Sequence, residues 1–107
     1  MNTGPTVYHG VNSAVFGCVR EMSERTHGTV YAPVGANTGT ATTTEPATVV
    51  MTFAFDPEAM TLTYVLTSKP WWLLESTIWS GVADTINGCR GRVVAANRQK
   101  LAAPGLP

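Results

Sequence analysis

At 107 residues the chain is long enough for one domain with a core of its own, needing neither metal nor disulfide to compensate for small size. Hydrophobic residues make up 44% and charged residues 13%, a globular rather than a disordered composition. The formal net charge of zero argues against attraction of the whole molecule to nucleic acid or anionic lipid, and leaves only local patches.

Met1 to Val11 carries no Lys or Arg and no continuous apolar stretch, so it lacks the layout of a secretory signal. Cytoplasmic residence is the default expectation, and export the alternative if a leader has been removed. The segment 1–12 reads as an extended lead-in, with Thr6 to His9 either a short edge strand or part of that lead-in.

From Asn12 or Ser13, either of which can cap a helix, the pattern turns helical through Thr26. Val15, Cys18, Val19 and Met22 form its apolar stripe, and Gly28 supplies the stop. The pairs Arg20 with Glu24 and Glu21 with Arg25 lie four apart on the wet face, each worth about 0.3 kcal/mol. Thr29 to Val34 reads as a strand with Tyr31 opposite Val30, Ala32 and Val34, and Pro33 marks it as an edge. The segment 35–45 is rich in Gly, Thr, Ala and Asn, and is expected to be a mobile loop or a poorly anchored strand around Thr40 to Thr44.

Thr48 to Thr67 carries two alternating runs across a turn. Val49, Met51, Phe53 and Phe55 share one face of the first strand, and Met60, Leu62, Tyr64 and Leu66 one face of the second. A four-residue loop, Asp56 to Ala59, would pair Phe55 with Met60, Phe53 with Leu62, Met51 with Tyr64 and Val49 with Leu66. After Lys69 and Pro70 comes the densest apolar stretch, Trp71 to Leu74, far shorter than the roughly 20 residues of a bilayer span. A second helix follows, capped by Ser76 or Thr77, with Ile78, Val82, Ala83, Ile86 and Cys89 as its stripe and Asn87 with Gly88 as its end.

One oily sheet face and two helices with one oily face each predict an α+β domain over residues 13–90. The expected architecture is a two-layer sandwich: a small antiparallel sheet of three to four strands with two helices, in the order helix, strand, hairpin, helix. The segment 91–107 then reads as a basic, flexible tail: Arg90, Arg92, Arg98 and Lys100 are basic, and all seven acidic residues precede them.

Few residues suggest chemistry. Cys18 and Cys89 each fall on the inward stripe of a helix, which leaves three readings: two buried free thiols, the first choice; a disulfide joining the helices; or a reactive or metal-binding pair. With His9 and His27 they could compose a zinc set, but the spacings match no compact finger, so no metal and no cofactor are expected. No serine elbow, phosphate-cradling loop or two-histidine zinc helix is present, and an enzyme is not the first choice.

Trp71, Trp72 and Trp79 are more informative, because adjacent tryptophans on an extended segment point in opposite directions and do not both enter one core. The leading expectation is a small non-catalytic interaction module, its partner a protein or a second copy in a homodimer. It would use the surface around these tryptophans, with Tyr31 and Lys69 on the rim, or the free strand edge near Tyr31. One alternative is a small enzyme or ligand-binding protein with a pocket between sheet and helices, drawing on Cys18, Cys89, His27 or Asp84. The other is an exported scaffold stapled by Cys18 and Cys89. The basic tail lacks stacking aromatics, so nucleic acid is not the expected partner.

Overall fold

The computed structural model describes residues 4–45 and 47–102, with side chains through Ala95. Five strands and two helices follow one another as β1 (Thr6–His9), α1 (Ser13–His27), β2 (Val30–Ala32), β3 (Thr38–Thr43), β4 (Val49–Asp56), β5 (Thr61–Ser68) and α2 (Glu75–Ala102). All neighbouring strands are antiparallel, in the spatial order β1-β5-β4-β3-β2. This is the expected α+β arrangement of a sheet and two helices, with more strands than the sequence suggests.

The first and second strands lie at opposite edges, so α1 must carry the chain across the whole sheet. Its 15 residues span about 22 Å, which matches the roughly 19 Å covered by four inter-strand steps. Asn12 starts the helix by accepting the Val15 amide on its side chain at 2.8 Å. Gly28 ends it in the left-handed conformation, with the Gly28 and Thr29 amides donating to Glu24 and Ser23 carbonyls. The Glu21–Arg25 pair forms at 3.7 Å on the exposed face, while Arg20 instead lies over the Phe16 ring, 4.8 Å from its centre.

The hairpin puts the bulky residues of both strands on one face, except Met60, which lies exposed in the turn before β5, and it does so in a register two residues from the expected one. Phe55 faces Leu62, Phe53 faces Tyr64 and Met51 faces Leu66. The turn explains the shift. Asp56 remains in the ladder opposite Thr61 while its carboxylate accepts the Glu58 and Ala59 amides, and Met60 closes the loop at φ 56°. The Met60 carbonyl then receives the Val11 amide at 2.9 Å, tying the turn to the entry of α1. A shift of two preserves the inward face, which is why the alternation alone does not detect it.

The segment 35–45, expected as a mobile loop or a poorly anchored strand around Thr40 to Thr44, contains β3, an inner strand paired on both sides. Its small residues are a packing requirement. A Cβ on Gly39, whose φ is 151°, would collide with the Ala32 carbonyl, and Ala41 is fully buried. Thr6–His9 is a true strand, pairing with β5 at the other edge.

The core fills the space between one sheet face and the helices. Phe16, absent from the expected stripe, is buried and stacks on Phe55 with ring centres 4.5 Å apart, with Phe53 and Tyr31 beside it. Val11, Val15, Val19, Leu62, Ile86 and Cys89 complete the centre. Among the described residues no helix covers the other sheet face, which presents exposed Val7, Val30, Ala32, Thr40, Thr52 and Ala54.

Helix α2 departs from expectation at both ends. It begins at Glu75, where the Leu74 carbonyl accepts the Thr77 and Ile78 amides, so Ser76 and Thr77 lie inside the first turn rather than capping it. It also runs through Asn87 and Gly88 to Ala102, so residues 91–102 continue the helix instead of forming a tail. Gly88 has no positive φ and nothing crowds it. The helix is held on either side of it by buried Ile86 and Cys89 and by half-buried Val93. Arg90 donates to the Asn87 side chain and to the His9 carbonyl, so it anchors α2 to the end of β1. Residues 103–107, the end of the expected tail, lie outside the described residues. Among the described residues no helix is long and apolar enough to cross a membrane.

Candidate functional site: a cavity between the sheet and both helices

The sheet and helices do not close completely. A cavity of about 430 Å³ remains over β2 to β5, between the second half of α1 and the first half of α2, a volume in the range of small-molecule sites. Helix α1 contributes Val19, Ser23 and His27, one stripe at four-residue spacing that turns from apolar to polar towards the helix end. Helix α2 contributes Ile78 and Val82 together with small or short polar residues, Thr77, Gly81, Asp84 and Thr85. Val49 and Met51 supply the apolar floor from β4. Exposed Glu45, Thr77, Ser80 and Asp84 lie on the lining, which therefore reaches solvent on that side.

Two tyrosines meet inside it. Tyr31 and Tyr64 hydroxyls are 2.6 Å apart, and either can donate. Tyr31 starts on the edge strand, where its cross-strand neighbour is Ala41, and the small alanine leaves its ring room to lie inward. Burial pushes the Tyr31 phenol above its usual value, opposed by its hydrogen bonds with Tyr64 and Ser23 and by the Arg20 charge. Burial raises Tyr64 well above the usual value, reinforced by its contact with Tyr31 and by nearby Tyr8. Both phenols are therefore neutral at ordinary pH, serving as hydrogen-bonding groups rather than bases. Thr29, almost fully buried, and Thr43 add a second hydroxyl pair at 2.7 Å on the same lining.

The sulfurs of Cys18 and Cys89 are bonded, with Cα atoms 5.7 Å apart, so neither is the free buried thiol of the first-choice reading. The bond joins α1 to α2, the two helices that wall the cavity, and it leaves no thiolate for nucleophilic or zinc chemistry. Among the described residues no three His, Cys, Asp or Glu side chains come together as a metal site. His27 and Asp84 line the cavity, whereas His9 lies at the end of β1.

The expected contact residues divide into two groups. Trp71 and Trp72 occupy the middle of a turn closed by the Leu73 amide on the Pro70 carbonyl at 3.2 Å, and Lys69 donates to that same carbonyl. Trp71 is 89% exposed and Trp72 56%. Between them and Leu74, which is also exposed, Leu73 turns inward and lines the cavity. Trp79 is half-buried against the core on α2. Tyr31 lines the cavity, where its hydroxyl meets Tyr64, and its strand is an edge of the sheet. Sequence reasoning missed Ser23, Thr29 and Tyr64 as site residues. The available signal was the continuation of the α1 stripe into Ser23 and His27.

Comparison of the chain with protein-family models, curated proteins and solved structures finds no match to any of them.

Proposed function

We propose that the protein is a non-catalytic module that binds a small, mostly apolar molecule with one hydrogen-bonding end in the cavity between its sheet and helices. One observation carries the reading: a mostly apolar cavity of about 430 Å³ has on its lining the Tyr31 and Tyr64 pair, whose neutral hydroxyls are bonded to each other. An aliphatic or aromatic body would lie on Val19, Val49, Met51, Ile78 and Val82. A hydroxyl, carbonyl or carboxyl oxygen would accept from the tyrosine hydroxyls, which stay neutral, with the Arg20 charge acting on Tyr31. The turn at Trp71 and Trp72 acts as a contact surface beside this cavity, which keeps the interaction role and couples it to a ligand.

The disulfide supports an oxidising compartment over the cytoplasmic default, because such bonds persist where thiols are not kept reduced. The test is titration with cis-parinaric acid, a fluorescent single-chain amphiphile, without vesicles. Wild-type protein is expected to bind it saturably with one site. Gly81→Leu is expected to abolish the signal, since Gly81 lines the cavity, has nothing within 4 Å of its Cβ position and lies in a helix that favours leucine. Absence of saturable binding, or binding unchanged by Gly81→Leu, overturns the reading.

A further inference from the structure

We propose that the Trp71–Trp72 turn seats the protein on a zwitterionic lipid surface, and that the cavity ligand is a single-chain amphiphile exchanged with that surface. The inference rests on the cavity reading above and adds the source of the ligand.

Three observations favour a lipid surface over a protein partner. The first is continuity: the turn that exposes Trp71, Trp72 and Leu74 sends Leu73 into the cavity wall, so the exposed and enclosed apolar surfaces share one short segment. The second is area. The three exposed side chains offer roughly 450 Å², short of the ~800 Å² per partner of a stable protein interface, and they cap a turn rather than line a groove. A lipid interface deforms around such a tip, whereas a protein would need a matching hollow. The third is charge. The tip is flanked by one cation, Lys69, and one anion, Glu75, and the whole chain is neutral, which suits a surface without net charge. Indoles favour the headgroup level, with the ring among apolar chain ends and the N–H near water.

The two readings fail separately under one set of measurements. Wild-type protein is expected to co-sediment with phosphatidylcholine vesicles, with a blue shift of indole emission and little change between low and high salt. Trp71→Ala/Trp72→Ala is expected to lower vesicle affinity about a hundredfold, since immersing a quarter of each indole corresponds to about tenfold. The same variant should keep wild-type thermal unfolding and wild-type cis-parinaric acid binding in vesicle-free buffer, because both rings are exposed. Failure of wild-type protein to bind vesicles, or unchanged vesicle binding in the double variant, overturns the lipid proposal while leaving the cavity reading intact. A concentration-dependent dimer abolished by the same substitutions, without vesicle binding, also overturns it and assigns the turn to a protein partner. If vesicles bind through the turn but cis-parinaric acid does not enter the cavity, the ligand part falls with the cavity reading.

Discussion

Tyr31 on β2 and Tyr64 on β5 begin three strands apart, and their hydroxyls meet at 2.6 Å. Three inter-strand steps are roughly 14 Å, so the two side chains reach towards each other over β3 and β4. Ala41 on the intervening strand keeps that path low. The bond thus fixes the distance between one edge of the sheet and its far half, and it sets the polar end of the cavity. Tyr31→Phe is expected to cost about 1–2 kcal/mol, because it takes from the buried Tyr64 hydroxyl its Tyr31 partner, and Tyr64→Phe less, because the Tyr31 hydroxyl keeps Ser23. The double variant should cost less than the sum of the two. Chemical denaturation of the four proteins checks this, and strict additivity would mean that the hydroxyls act independently.

The same pair makes stability depend on alkaline pH. Both phenols titrate higher in the folded protein than the ordinary value of 10.0, so the folded state holds their protons more tightly than the unfolded state. Their contribution is complete below pH 10 and is lost as pH rises from there through the folded values, because the unfolded chain ionises first. Stability should be flat near neutrality and fall above about pH 10 by up to about 1.4 kcal/mol per pH unit for each tyrosine. Urea midpoints measured across that range test it. The slope should shrink in Tyr31→Phe/Tyr64→Phe.

Period and side-chain size explain which parts of the fold were legible. Alternation in β4 and β5 gave the inward faces except at Met60, which lies exposed in the turn, and fixed only the parity of their pairing; the turn, with Asp56 in the ladder and Met60 in the left-handed region, chose the register. Strand β3 was legible only as the alternative to a loop, and as poorly anchored, because pattern reading looks for bulk, and Gly39 and Ala41 are small to let other groups pass. Asn87 and Gly88 resembled an end signal, but the contacts of Ile86, Cys89 and Arg90 outweighed it. Both cysteines were placed on inward stripes, whereas their bond depends on a distance between helices that spacing along the chain does not determine. The tyrosine pair was out of reach for the same reason.

Two glycines should respond in opposite ways to one methyl group. At Gly39 an added Cβ strikes backbone in the neighbouring edge strand, at a φ that L residues rarely adopt. Gly39→Ala is therefore expected to cost about 2 kcal/mol or more. At Gly88, inside α2, the added Cβ meets nothing, so Gly88→Ala should stabilise by about 1 kcal/mol through helix propensity. Thermal unfolding separates the two directly. A neutral Gly39→Ala would show that β2 can move away without loss.

Met60 offers a second stabilising change, at a strained turn. It is exposed, holds φ at 56° and carries the carbonyl that receives the Val11 amide. Glycine takes this conformation without the Cβ clash, and little packing is lost with an exposed side chain. Met60→Gly is expected to gain about 1 kcal/mol with no change in the hairpin. Loss of stability would instead mean that the methionine shields the entry of α1.

The Cys18–Cys89 bond closes a sequence separation of 71 residues. In the chain-entropy description such a closure stabilises by about 4 kcal/mol, a large part of the 5–15 kcal/mol typical of a domain. Cys18→Ala/Cys89→Ala is expected to lose several kcal/mol, and reduction of the wild type should lower the urea midpoint to a similar degree. The bond also joins the two helices that wall the cavity. Reduction should therefore weaken cis-parinaric acid binding even where circular dichroism still reports a folded protein. A midpoint that hardly moves would mean that the unfolded chain is already compact enough to hold the two helices together, so that their packing, rather than the covalent tie, keeps the cavity walls in place.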